Sequence, residues 1–174
     1  MTNIALFIDH ENLNKSLQEN ERVHFYSLDS ILYILQKEKI IFKKIFFPRG
    51  RIDSSNHQGF IFKAKKMGFE VSKEVPNLKD ADPYILDDAY FILYQKPEID
   101  TFVICSGDKD FIPLIKRLIE MGKGVIMIGV MSTTSDEIIG RFGFNPNFRF
   151  IDYTSIHRYN TKSHNRCVIS RVYR

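Results

Sequence analysis

Four aspartates carry the chemistry of this sequence: Asp9, Asp82, Asp108 and Asp110. Two of them close the stretch VICSGDKDF (Val103–Phe111), where an apolar run ends in Ser106-Gly107 and two carboxylates follow with one residue between them. Carboxylates gathered in one place repel each other unless a cation or a shared proton intervenes. Magnesium and manganese ions favour such oxygen ligands, keep part of their water and need few carboxylates. An aspartate at a helix start has a plainer use, because it caps free N–H groups and meets the positive end of the helix dipole. Capping accounts for any one of the four, but not for several at one edge.

What brings them together is the alternation of strands and helices. Ile4–Ile8 (IALFI) is apolar without alternation, as expected of a strand buried on both faces, and Asp9 follows it directly. A helix is predicted over Ser27–Lys37, with Leu28, Ile31, Leu32 and Leu35 at helical spacing. Strand Ile40–Phe47 is closed by Pro48 and Gly50. Helix Ser54–Lys66 stops at Gly68, and the more polar Phe69–Val75 reads as a strand near an edge. Pro83–Tyr94 reads as a helix, with Asp82 in its capping position. Strand Thr101–Cys105 leads to Asp108 and Asp110, then to helix Phe111–Met121 and Gly122. Strand Val125–Val130, a short helix near Ser135–Phe142 and a last strand near Phe148–Tyr153 complete the series. The pattern implies right-handed crossovers and a mostly parallel sheet covered on both faces. Ligands of such sheets collect outside the carboxyl ends of the strands, where the strand order reverses. If the strands before Asp9 and Asp108 are neighbours there, their acids meet, and Asp82 can reach the same edge.

A chain of 174 residues, 44% hydrophobic and 26% charged, suits one soluble domain. The reading is a domain over residues 1–153 and a basic tail over 154–174. Residues 151–174 hold Arg158, Lys162, Arg166, Arg171 and Arg174 against the single acid Asp152, whereas the other 150 residues balance 20 basic with 20 acidic side chains. A basic tail on a neutral body points to an anionic partner. No apolar run is long enough to cross a bilayer, so no membrane partner is expected. The first residues, MTNIALFIDH, read as a strand and not as a secretion signal. Two cysteines, Cys105 and Cys167, imply no disulfide framework and suit a reducing cytoplasm. The histidines show no ligand spacing for zinc. Neither a G-x-G-x-x-G nor a P-loop motif occurs, and no Ser-His-Asp or Cys-His arrangement is suggested.

Taken in order, FIDHEN (Phe7–Asn12), KDAD (Lys79–Asp82) with LDDA (Leu86–Ala89), and SGDKDFIPLI (Ser106–Ile115) followed by MGKGVIMIG resemble the NYN domain group. That group belongs to the PIN-like nuclease superfamily and includes the LabA-like proteins. The resemblance implies a three-layer α/β/α sandwich with strand order 3-2-1-4-5, which makes the strands before Asp9 and Asp108 neighbours. It also implies an acidic pocket that binds Mg²⁺ or Mn²⁺ and cuts RNA, leaving 5′-phosphate and 3′-hydroxyl ends. By position, Asp9, Asp82, Asp108 and Asp110 are the implied metal and catalytic acids. Asn12 is the companion of Asp9, Lys79 a phosphate contact, and Asp88 a packing residue. The sequence departs from the pattern at Asp80, where glycine is common, at Pro83, and at His10, which would narrow access. Asp80 and Asp87 add charge near the pocket.

The expected reaction is metal-dependent hydrolysis of RNA, with Asn12 and Ser106 orienting water or phosphate by neutral hydrogen bonds. Lys43, Lys44, Arg49, Arg51, Lys79, Lys109 and the tail are the candidate contacts to the RNA backbone. Phe47, Tyr153 and Tyr159 are candidate stacking surfaces for bases. A homodimer is compatible with this reading. Two rivals differ in class. A non-catalytic RNA- or protein-binding module would keep the fold without cutting. A phosphohydrolase with an aspartate nucleophile would need Asp-x-Asp on the first strand, where Asp9-His10-Glu11 stands instead.

Overall fold

The computed structural model describes residues 1–19, 26–47, 55–72 and 81–155. Strand β1 (Asn3–Asp9) lies at the centre of the sheet, with β2 (Lys39–Phe46) on one side and β4 (Thr101–Cys105) on the other. Strands β3 (Glu70–Val71), β5 (Gly124–Gly129) and β6 (Phe148–Asp152) extend it to six strands in the order β3-β2-β1-β4-β5-β6. Every strand pair is parallel. The order reverses between β1 and β4, which run side by side with Ile8 opposite Cys105. The ends that carry Asp9 and the Ser106–Asp110 segment therefore lie together.

Alternate residues of β1 serve two cores, because successive side chains of a strand point to opposite faces. Ile4, Leu6 and Ile8 pack on one face with α1 (His10–Glu19), α2 (Leu28–Ile34) and α3 (Ser55–Lys66). Ala5 and Phe7 pack on the other with α4 (Asp82–Gln95), α5 (Ile112–Glu120) and α6 (Asp136–Phe142). The result is the three-layer α/β/α sandwich that the resemblance implies, with an all-parallel sheet. In α4 the buried Ile85, Ala89, Ile92 and Leu93 form the stripe facing the sheet. Gly68 and Gly122 end α3 and α5 in the left-handed region, at φ 77° and 73°, where a side chain would be strained.

Two expectations need correction, and one helix lies outside all of them. Helix α1 is not anticipated by the apolar pattern, because Leu13 and Leu17 are its only buried large apolar side chains. Polar His10, Asn14 and Ser16 supply the rest of its buried side. Helix α4 begins at Asp82 itself, with Ala81 ahead of it, so Asp82 is the first helical residue and not the cap. The strand expected over Phe69–Val75 is only two residues long, Glu70–Val71, and its expected continuation past Ser72 lies outside the described residues.

Candidate metal centre

Asp9 ends β1 at the carboxyl edge of the sheet and is 5% exposed. Its Oδ1 accepts the backbone N–H of Asn12 at 3.0 Å, so it caps the first turn of α1. Burial pushes its carboxyl up from 3.8 to about 7, opposed by the Asn12 N–H and reinforced by the charge of Asp82 and a hydrogen bond with it. An aspartate that holds its proton near neutrality, against a second carboxyl, is a site short of positive charge.

The other acids arrive from α4 and from the turn after β4. Asp82, Asp108 and Asp110 each offer one carboxylate oxygen, and these oxygens lie within 4.8 Å of one another. Asp82 and Asp108 are half-buried and Asp110 is exposed. Asp108 Oδ1 accepts the Asp110 N–H at 3.0 Å and so caps the short 3₁₀ turn Lys109–Phe111. Capping and clustering coexist here, since one oxygen of a carboxylate can take an N–H while the other stays open.

The turn that carries Asp108 is tied down on three sides. Asn12 Oδ1 accepts the Gly107 N–H at 3.0 Å. Ser106 is fully buried, and its Oγ accepts the Asp108 N–H at 3.3 Å. The Ser135 N–H donates to the Gly107 carbonyl at 3.0 Å. Gly107 also lies so close to Thr134 that an added Cβ would stand 2.8 Å from its Oγ1 and 3.0 Å from its Cα. Thr134, whose hydroxyl donates to the Val130 carbonyl at 2.9 Å, braces the site without having been marked by the sequence. The signal available was slight: a TTS run between strand β5 and helix α6.

The remaining candidates are dispersed. Lys109 is exposed between the two acids of its turn. Lys43 and Lys44 lie inside β2 and not at its end, on opposite faces. Lys44 is paired with Asp88 of α4 at 2.5 Å, and Lys43 lies 5.1 Å from the Phe69 ring centre. Lys79, Asp80, Arg49, Arg51, Tyr159 and the tail beyond Ser155 are outside the described residues. Phe47 and Tyr153 are buried and cannot stack on bases, the Tyr153 hydroxyl accepting the Ser27 N–H at 2.6 Å. His10 turns into an aromatic cluster, its ring 4.2 Å from that of Phe47. Its Nδ1 lies 2.8 Å from the Tyr26 hydroxyl and its Nε2 2.9 Å from Asn14 Nδ2. No helix among the described residues is long and apolar enough to cross a membrane.

A parallel sheet with carboxylates collected at its switch point is the architecture of the PIN-like nucleases. The chain belongs to the NYN domain family of that superfamily, whose family model matches residues 3–142. In fold it is similar to VPA0982 of Vibrio parahaemolyticus, a crystallised protein of unknown function. The TM-score is 0.70 at 25% identity, over 87% of this chain and 93% of that one. No curated protein matches the chain.

Proposed function

We propose that this protein is a divalent-cation-dependent ribonuclease of the LabA-like kind, hydrolysing RNA phosphodiester bonds at the carboxyl edge of the sheet. The observation that carries the proposal is the meeting of the Asp82, Asp108 and Asp110 oxygens at the sheet edge where the buried Asp9 ends β1. The donor set is all oxygen, which suits Mg²⁺ or Mn²⁺ and not zinc. Asp9, Asp82 and Asp108 would hold the ion, with Asp110 at the open, solvent side. Bound there, a divalent cation would lower the pKa of a coordinated water and offset the charge of the phosphate. Asn12 and Ser106 act as positioning residues, because the hydrogen bonds that occupy them fix the turn that presents Asp108. Lys109 stands ready for a neighbouring phosphate, and Lys79, Arg49 and Arg51 are proposed for the same task. The buried free thiol of Cys105 agrees with a reducing cytoplasm as the site of action.

The test is incubation of labelled single-stranded RNA with the wild type and with Asp108→Asn, in Mn²⁺ and in chelator. The proposal expects products with 5′-phosphate and 3′-hydroxyl ends from the wild type in Mn²⁺ only. Tight RNA binding by a cation-loaded wild type that never cuts would favour the non-catalytic module and sink the nuclease.

A further inference from the structure

We infer that the outer face of α3 is a binding platform for single-stranded RNA, separate from the acidic pocket. Helix α3 carries Lys63, Lys65 and Lys66 in its last turn and no acid between Ser55 and Lys66. Gln58, Phe62, Lys65 and Lys66 are spaced four, three and one residue apart, which puts them on one stripe of a helix. All four are exposed, and Phe62 is 71% exposed. Lys63, at the side of the stripe, is paired with Asp29 at 2.5 Å. That pairing takes up the neighbouring acid and leaves Lys65 and Lys66 as positive charge. Glu70, the next acid along the chain, lines a groove with Phe42, Lys44 and Asp88 on the opposite face of the sheet.

Two features of the stripe differ in what they explain. Lysines near a helix C-terminus are favoured by the helix dipole, so their presence alone needs no ligand. The dipole gives no reason for a phenylalanine standing in water between them. An exposed aromatic ring beside cationic side chains is the combination that holds an unpaired strand, the ring stacking on a base and the cations meeting phosphates. A duplex presents no free base face to Phe62, so the stripe fits single strands better. The ring of His57, in the first turn of α3, lies 5.4 Å from that of His10 in the first turn of α1, so the platform starts beside α1 on the face of the sheet opposite α4. Helix α3 is about 18 Å long at 1.5 Å per residue, long enough for several nucleotides of an extended strand.

The inference rests on the proposed nuclease reading for its choice of RNA, but binding is measured apart from cutting. A labelled oligouridine is titrated by fluorescence anisotropy against full-length Asp108→Asn, with and without Phe62→Ala, Lys65→Glu and Lys66→Glu together. The platform predicts at least about tenfold weaker binding for the combined variant, and a salt slope shallower by about two charges. Lys65→Ala with Lys66→Ala should lose the same slope with less loss of affinity, since the ring remains. In the Asp108-intact background, cutting of a dinucleotide should be unchanged by the three substitutions. Equal affinity and equal salt slope in all variants would overturn the platform, as would loss of dinucleotide cutting together with RNA binding. If RNA binds through this face but is never cut, the platform stands and the nuclease reading fails.

Discussion

Asn12 Oδ1 accepts the Gly107 N–H at 3.0 Å, joining the first turn of α1 to the turn after β4 across ninety-five positions of sequence. The same asparagine donates its own backbone N–H to Asp9. Asn12 therefore locks two acid-bearing segments to each other. Removing its side chain leaves a buried N–H without a partner, a loss of about 1–3 kcal/mol. Asn12→Ala is expected to lower the melting temperature by about 2–12 °C for a domain of this size, and to reduce Mn²⁺ affinity further than that destabilisation explains. Calorimetry with and without Mn²⁺ checks both. An unchanged affinity would mean that the lock does not serve the ion.

The Gly107–Thr134 contact predicts a second loss. A methyl group at position 107 meets the Thr134 hydroxyl and, more stubbornly, its Cα. Backbone cannot swing aside as a side chain does, so Gly107→Ala should cost about 1–3 kcal/mol, as other overpacked sites do. It should also displace Asp108, so urea melts and the rate of RNA cutting should fall together. Full activity with native stability would show that the turn has room the structure does not display.

Asp9 gives the cation-free protein a pH dependence of definite sign. Its folded-state pKa is about 7, above the unfolded 3.8, so the folded state holds the extra proton between those values. The stability tied to that proton is full below about pH 4 and is lost as pH rises toward 7 and beyond. In chelator, the melting temperature of the wild type should therefore fall relative to that of Asp9→Asn as pH rises from about 4 to about 8. Mn²⁺ must displace the same proton, so its affinity should rise with pH through about 7. A chelated protein whose stability rises over this range through Asp9 would contradict the assignment.

Lys44 and Asp88 illustrate where charge alone misleads. In sequence, Lys44 belongs to a basic run that reads as a phosphate contact. In the fold it spans from β2 to α4 and meets Asp88, with both side chains partly exposed. A pair of that kind contributes modestly, about 0.2–1 kcal/mol. Lys44→Gln should then cost about that much stability and change RNA affinity less than twofold, as measured by melts and anisotropy. A tenfold loss of RNA affinity would restore Lys44 to the binding surface.

Much of the architecture was legible because buried parallel strands announce themselves as unbroken apolar runs. Ile4–Ile8 and Thr101–Cys105 are such runs, and the acids that follow them stand at the predicted edge. The rest depends on contacts between residues distant in sequence. Helix α1 buries His10, Asn14 and Ser16, and a periodicity of apolar residues cannot show that. Thr134 became part of the site only when β5 was laid beside β4. The opposite faces of Lys43 and Lys44 follow from strand geometry, yet their partners Phe69 and Asp88 come from elements that the local pattern does not join.

The central claim is that Asp9, Asp82, Asp108 and Asp110 share one divalent cation. Electron paramagnetic resonance of Mn²⁺ titrated into the full-length protein at pH 8 reads this directly, since bound ion loses the sharp signal of free ion. The account predicts saturable binding by the wild type that weakens at least about tenfold in Asp82→Asn and in Asp108→Asn, each of which removes one charged ligand. Equal Mn²⁺ binding by the wild type and both variants, or none by a folded wild type with RNA present, would contradict it.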